Sequence, residues 1–204
     1  MVTAAAANHR ERNPRGEGDR LRTELLDAAA DLMAEKGDVD AISLRAIAAR
    51  AGVSPTAVYR HFDGHDDLLR AAVAHCWSEF ARAFVDADEG LVDPYERLRA
   101  SGDAYVRFAM EQPGKYHVLF SNKIDVEFDG LPAGVNAFEM LVDKVADILA
   151  DRGDDRDPRF VAVEVHTWIH GIVDLIGRHP DGGWPPIGTL LDDLTIRLGL
   201  ARDG

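Results

Sequence analysis

A chain of 204 residues can bury a real core, as one long domain or as a small domain followed by a medium one. With 46% hydrophobic and 29% charged residues its composition is globular, which excludes a disordered or collagen-like polymer. A net charge of −13 counts against nucleic-acid binding by the whole chain, yet residues 1–62 carry nine basic and nine acidic residues, so the entire excess lies in 63–204.

In chain order, residues 1–18 have basic side chains without an apolar stretch behind them, so a floppy arm is expected and not a secretory signal. No apolar run approaches the roughly 18–20 residues of a bilayer span, so no membrane partner is expected. The single cysteine, Cys76, excludes an internal disulfide and fits the reducing cytoplasm. Apolar residues recur at helical spacing almost everywhere, which predicts an all-α fold of about nine helices and no confident strand. The first helix carries Leu21, Leu25, Ala29, Leu32 and Met33 and stops at Gly37. Ser43 caps a short second helix, Ser54-Pro55 opens a third, and Asp63-Gly64 closes it. A long helix follows from about Asp66, with Cys76 on its apolar stripe as a buried thiol. Asp93-Pro94 starts a helix that ends at Gln112-Pro113, and a short helix over 114–120 precedes a loop, 121–132. Helices near 133–151, 157–179 and 186–201 complete the chain.

Residues 43–62, SLRAIAARAGVSPTAVYRHF, meet the requirements of a helix-turn-helix. Ala48 is the small contact residue, Gly52 the turn, and Val53 the plug beneath it. On a helical wheel with Val58 at zero, Phe62 falls at about 40° and Pro55 at about 60°, while Thr56 and Arg60 fall at about 160° and 200°. Thr56 and Arg60 therefore point away from the core, as entry into a major groove requires. Arg60 can donate two hydrogen bonds to a guanine edge, and Thr56 offers a hydroxyl and a methyl. Tyr59 and His61 flank them within reach of phosphates. Ser43, with the amides behind it, is a candidate phosphate cap, and Ser54 joins the candidate contacts.

The run SLRAIAARAGVSPTAVYRHFDGHDDLL resembles the signature of the tetracycline-repressor (TetR) family, with the likeness strong over about residues 20–75. It implies a DNA-binding domain over 19–65 and a ligand-binding and dimerisation domain over 66–204. It also implies a homodimeric repressor, not an enzyme, released from double-stranded operator DNA by a small molecule. Carried over, Thr56, Ala57, Tyr59, Arg60 and His61 are the recognition contacts, with Arg45 near the backbone or an adjacent groove. Where the family has a lysine opening the fourth helix, this chain has His65, a weaker phosphate contact that strengthens at low pH. Two pieces, Tyr105–Phe120 and Trp168-Ile169-His170-Gly171, resemble a C-terminal subtype named for its Trp-His-Gly run.

The helix over 157–179 is apolar on nearly every side, so burial all round is expected, one face toward a ligand chamber and the other toward a partner subunit. The last helix, with Leu190, Leu191, Leu194 and Leu198, would pair with its copy in a four-helix interface. Trp77, Phe80, Phe84, Tyr105, Phe108, Tyr116, Phe120, Phe138 and Trp168 are the chamber candidates, with Tyr105, His117, His166 and His170 as polar handles for a lipophilic or aromatic ligand. Plain core packing is the competing reading of each one alone. His166 and His170, four apart, also open a rival reading: a helical small-molecule or metal-binding protein without DNA binding. Glu164 lies on another face, so core or interface histidines are the favoured reading and no metal is expected. No phosphate loop, nucleotide fingerprint or nucleophile elbow is present, so no catalytic residue or cofactor is expected.

Overall fold

The computed structural model describes residues 17–36, 41–120, 124–128 and 130–202. Among the described residues the helices are α1 (Glu17–Lys36), α2 (Leu44–Arg50), α3 (Pro55–Val58), α4 (His65–Asp88), α5 (Pro94–Glu111), α6 (Pro113–Phe120), α7 (Ala133–Arg152), α8 (Pro158–Arg178) and α9 (Ile187–Arg197). The all-α expectation holds, and the helix starts follow their caps. Asp93 accepts the Tyr95 and Glu96 amides at 2.9 and 3.0 Å, and Asp157 accepts the Arg159 amide at 2.9 Å, each ahead of a proline at the first helical position. The arm as far as residue 16 and the stop at Gly37 lie outside the described residues.

Four expectations need correction. The loop over 121–132 contains a two-residue ladder, β1 (Glu127–Phe128) against β2 (Leu131–Pro132), antiparallel. The third helix is regular only to Val58: the Arg60 amide bonds the Ala57 carbonyl and the His61 amide the Val58 carbonyl, tightened turns that close it early. By length and composition α8 is long and apolar enough to cross a membrane, contrary to the sequence estimate. It is not buried all round either: Val161, Ala162, Val165, Ile169 and Val173 face the core, but Phe160, Val163 and Leu175 stay exposed at 66, 49 and 39%.

Two apolar clusters organise the interior. One runs without a break from Leu25 and Ile47 in the first helices through Leu68, Val73 and Phe80 of α4 to Phe108 and Leu119, so α4 belongs to both halves of the chain. The second joins Leu98 of α5 to Val145 and Ile148 of α7, Val161 of α8 and Leu194 of α9. Burying these side chains stabilises the fold by about 1.5–3 kcal/mol for each large one.

Candidate nucleic-acid interface and ligand chamber

At the end of α2 the Val53 amide reaches the Ala48 carbonyl at 2.9 Å and the Gly52 amide the Ala49 carbonyl at 3.1 Å. Gly52 itself has φ +70, where a Cβ is disfavoured. This paired closure turns the chain sharply into Ser54 and Pro55. Val58 and Phe62 then sink to 0 and 3% exposure beside Ile47 and Ala48, both at 0%. Thr56 and Arg60 are exposed on the opposite side, and Tyr59 is 63% exposed. Arg22 of α1 lays its guanidinium 5.0 Å over the Phe62 ring, a tie that the sequence pattern did not reveal because it joins residues forty apart.

The other sequence candidates fall unevenly around this surface. Arg45 and Ser54 are exposed, Ala57 and His61 half-buried. Ser43 is exposed, but its hydroxyl oxygen is already engaged, accepting the Ala46 amide at 3.2 Å. His65 donates from Nε2 to the Ile42 carbonyl at 2.6 Å and sets Nδ1 3.1 Å from the Asp66 carboxylate, so the start of α4 is held by neighbours on both ring nitrogens.

Between α4, α5, α6, α7 and α8 lies a cavity of about 380 Å³. Trp77, Phe80, Phe84, Tyr105, Phe120, Phe138 and His166 of the predicted set line it. Phe80 is the hub, edge-on to Trp77, Phe84, Tyr105 and Phe108 at 4.7–5.8 Å between ring centres. Phe108, Tyr116, His117, Trp168 and His170 do not line the cavity: Phe108 and Tyr116 are buried in the packing behind it, Trp168 bridges the two cores, and His117 is exposed. Two charged liners escaped the sequence reading, Lys144 and Arg159. Lys144 is 4% exposed, its ammonium 2.7 Å from the Asp88 carboxylate. Position 144 sits in a mixed amphipathic stretch where a lysine ordinarily reads as solvated.

Behind the cavity wall the Tyr105 and Tyr116 hydroxyls stand 3.0 Å apart, with His170 Nδ1 at 3.1 and 2.6 Å from them. Burial raises the hydroxyl pKa of Tyr105, and pushes that of Tyr116 up to about 12, so both remain protonated. His166 stacks on His170 at 5.8 Å and is held below the usual histidine range, first by desolvation and then by the His170 charge. At neutral pH it presents a neutral imidazole to the cavity.

From the cavity α6 leads to the first helix. Leu119 and Phe120 line the chamber, while Gly114 abuts Ala34 of α1. Lys115 bonds the Glu79 carboxylate at 2.7 Å and Asp27 at 3.4 Å. Among the described residues, the metal-ligand atoms that converge are those of Asp27, His75 and Glu79, all within 4.8 Å of one another. The Lys115 ammonium already supplies the cation there.

The profile of "Bacterial regulatory proteins, tetR family" matches residues 25–72, and that of "Tetracyclin repressor-like, C-terminal domain" matches residues 98–186. The chain is 35% identical over 79 residues to the HTH-type transcriptional regulator BetI of Brucella canis, covering 39% of each protein. It is 35% identical over 111 residues to the HTH-type transcriptional regulator Mb3439c of Mycobacterium bovis, covering 51% of this chain and 58% of that one. The matched segments thus span between two fifths and three fifths of those relatives' lengths. In fold it is similar to a TetR-like transcriptional regulator from Rhodococcus sp. RHA1, with a TM-score of 0.68 at 23% identity over 91% of this chain and 97% of that one. With one profile on its helix-turn-helix and the other on its chamber helices, the chain belongs to the TetR family of bacterial regulatory proteins.

Proposed function

We propose that this protein is a homodimeric transcriptional repressor that leaves its operator when a small lipophilic molecule enters the chamber. One observation carries the DNA-binding half: the turn after Gly52 buries Val58 and Phe62 while Thr56, Tyr59 and Arg60 stand in solvent. A reading head of that form contributes bidentate arginine contacts to guanine and a threonine methyl to thymine, with Tyr59, His61 and Arg45 on flanking phosphates. Ser43 keeps its hydroxyl proton for a phosphate oxygen. Two copies spaced about 34–36 Å apart match successive major grooves.

The coupling runs through α6, which lines the chamber at Leu119 and Phe120 and presses on α1 at Gly114. A guest that shifts α6 also shifts α1 and the start of α4, and with them the spacing of the two heads. Ligand then weakens DNA binding by the same factor by which DNA weakens ligand binding.

The test is selection of bound duplexes from random DNA with the full chain, followed by release with apolar compounds. Enrichment of a two-fold symmetric site whose affinity falls steeply with salt supports the reading. Recovery of no preferred sequence at low salt overturns it.

A further inference from the structure

The charged side chains that line the chamber are Lys144 and Arg159, and no carboxylate lines it among the described residues. That is an inversion of the chain's balance, which has 36 acidic residues against 23 basic ones. We infer that the effector is an apolar body bearing one anionic group, a carboxylate or its equivalent, which the chamber holds through Lys144 and Arg159. The inference rests on the chamber being the ligand site proposed above.

A lysine with 4% exposure persists only when paired, and Asp88 takes one of the three N–H donors that an ammonium carries. Asp88 is itself shared: the Ser101 hydroxyl donates to it at 3.3 Å, and Arg97 reaches it at 3.6 Å. The carboxylate is thus spread over two cations and a hydroxyl, and Lys144 keeps donors for a guest. Arg159 bonds the Glu139 carboxylate through one nitrogen, at 2.7 and 2.8 Å to its two oxygens, and a guanidinium has five N–H donors. The rest of the wall is aromatic and aliphatic, with a neutral imidazole at His166. An anion entering such a space regains by charge-assisted bonds what it loses in hydration. A cationic guest of the same body meets two like charges on the lining, while the carboxylates that pair them, Asp88 and Glu139, do not line the chamber, so the wall also selects by repulsion. The volume, about 380 Å³, lies at the small end of ligand sites, which admits a single medium-length chain or a pair of fused rings.

Three ten-carbon probes that differ only in the head group, decanoate, decanol and decylamine, separate the possibilities by calorimetry on the full chain. Non-specific attraction to a protein of charge −13 favours the amine, so a preference for the acid has to arise locally. The expected order is decanoate tightest, by about tenfold or more over decanol, with decylamine weakest. Arg159→Gln, at a half-exposed position, and Lys144→Met should each narrow the gap between decanoate and decanol. Should Lys144→Met fail to fold, Arg159→Gln and the three probes on the parent chain still decide. Equal affinity for all three, or a preference for decylamine, overturns the anionic head group and leaves the chamber standing as an apolar site. Binding of none of them overturns both.

Discussion

Gly114 of α6 meets Ala34 of α1 with no room for a side chain between them: a Cβ on Gly114 would lie 2.4 Å from the Ala34 Cβ. The close approach sets the distance between the chamber helix and the first helix of the DNA-binding half. Gly114→Ala adds a methyl to a full contact, an overpacking that costs about 1–3 kcal/mol against the gain of about 0.5–1 from removing a helical glycine. The expected net result is a loss of stability in urea denaturation. Adding Ala34→Gly reopens the space, so the double variant should recover stability relative to the single one. A double variant that is no better than the sum of its parts would mean the two residues do not touch.

Val58 and Arg60 are two positions apart and opposite in consequence. Val58 is fully buried, so Val58→Ala should lower unfolding stability by about 2 kcal/mol. Arg60 is exposed, so Arg60→Ala should leave stability within about 0.5 kcal/mol of the parent. It should instead weaken binding to the selected operator by about 1–3 kcal/mol and relax discrimination at one base in each half-site. An Arg60→Ala variant that discriminates operator variants as the parent does would remove Arg60 from the readout.

How much of this was legible follows the range of each interaction. Caps such as Asp93 and Asp157 act over two or three residues, and the Gly52 closure spans six, so the helix starts and the turn could be read directly from the chain. Helical periodicity gave the buried face of α4, including Cys76 at 0% exposure. It could not say which buried rings converge. Phe108 and Phe84 sit on equally apolar stripes, yet only Phe84 borders the cavity. Lys144 and Asp88 are 56 positions apart, and a lysine in an amphipathic helix gives no sign that its ammonium turns inward. α8 misled in the other direction: apolar residues on all sides predicted burial, whereas one side of a single chain is left uncovered.

Cys76 provides a pH-dependent readout of the α4 core. Burial raises its thiol from the ordinary 9.0 to about 12. A denatured chain loses this proton above pH 9 while the folded one keeps it, so folding stability declines as pH rises from 9 toward 12, by up to about 1.4 kcal/mol per pH unit from this group. The raised hydroxyl pKa values of Tyr105 and Tyr116 add a decline of the same sign above pH 10. Cys76→Ala should flatten the slope between pH 9 and 10, where the tyrosines contribute least. In the parent, iodoacetamide should leave the native thiol unmodified at pH 8 and label it in urea. Rapid labelling of the folded protein would show that the thiol is not enclosed.

The uncovered side of α8 leads to a last prediction. Phe160, Val163 and Leu175 are exposed at 66, 49 and 39%, and Thr167 and Gly171 lie between them at helical spacing. Ile196 of α9 is also exposed, at 66%. Hydrophobic side chains in such a row are costly in water, and small residues at its centre permit close approach of a second helix. If α8 and α9 meet their copies as proposed, the row becomes the middle of a four-helix contact. Val163→Asp or Leu175→Glu then buries a carboxylate without a partner in each half of that contact. Sedimentation should show a dimer for the parent and a monomer for either variant, with helical circular dichroism unchanged. Because the proposed repression needs two heads on one operator, affinity for the symmetric site should fall to that of a single half-site. A variant that stays dimeric would move the interface elsewhere, and a monomer that keeps full operator affinity would break the link between dimerisation and DNA binding.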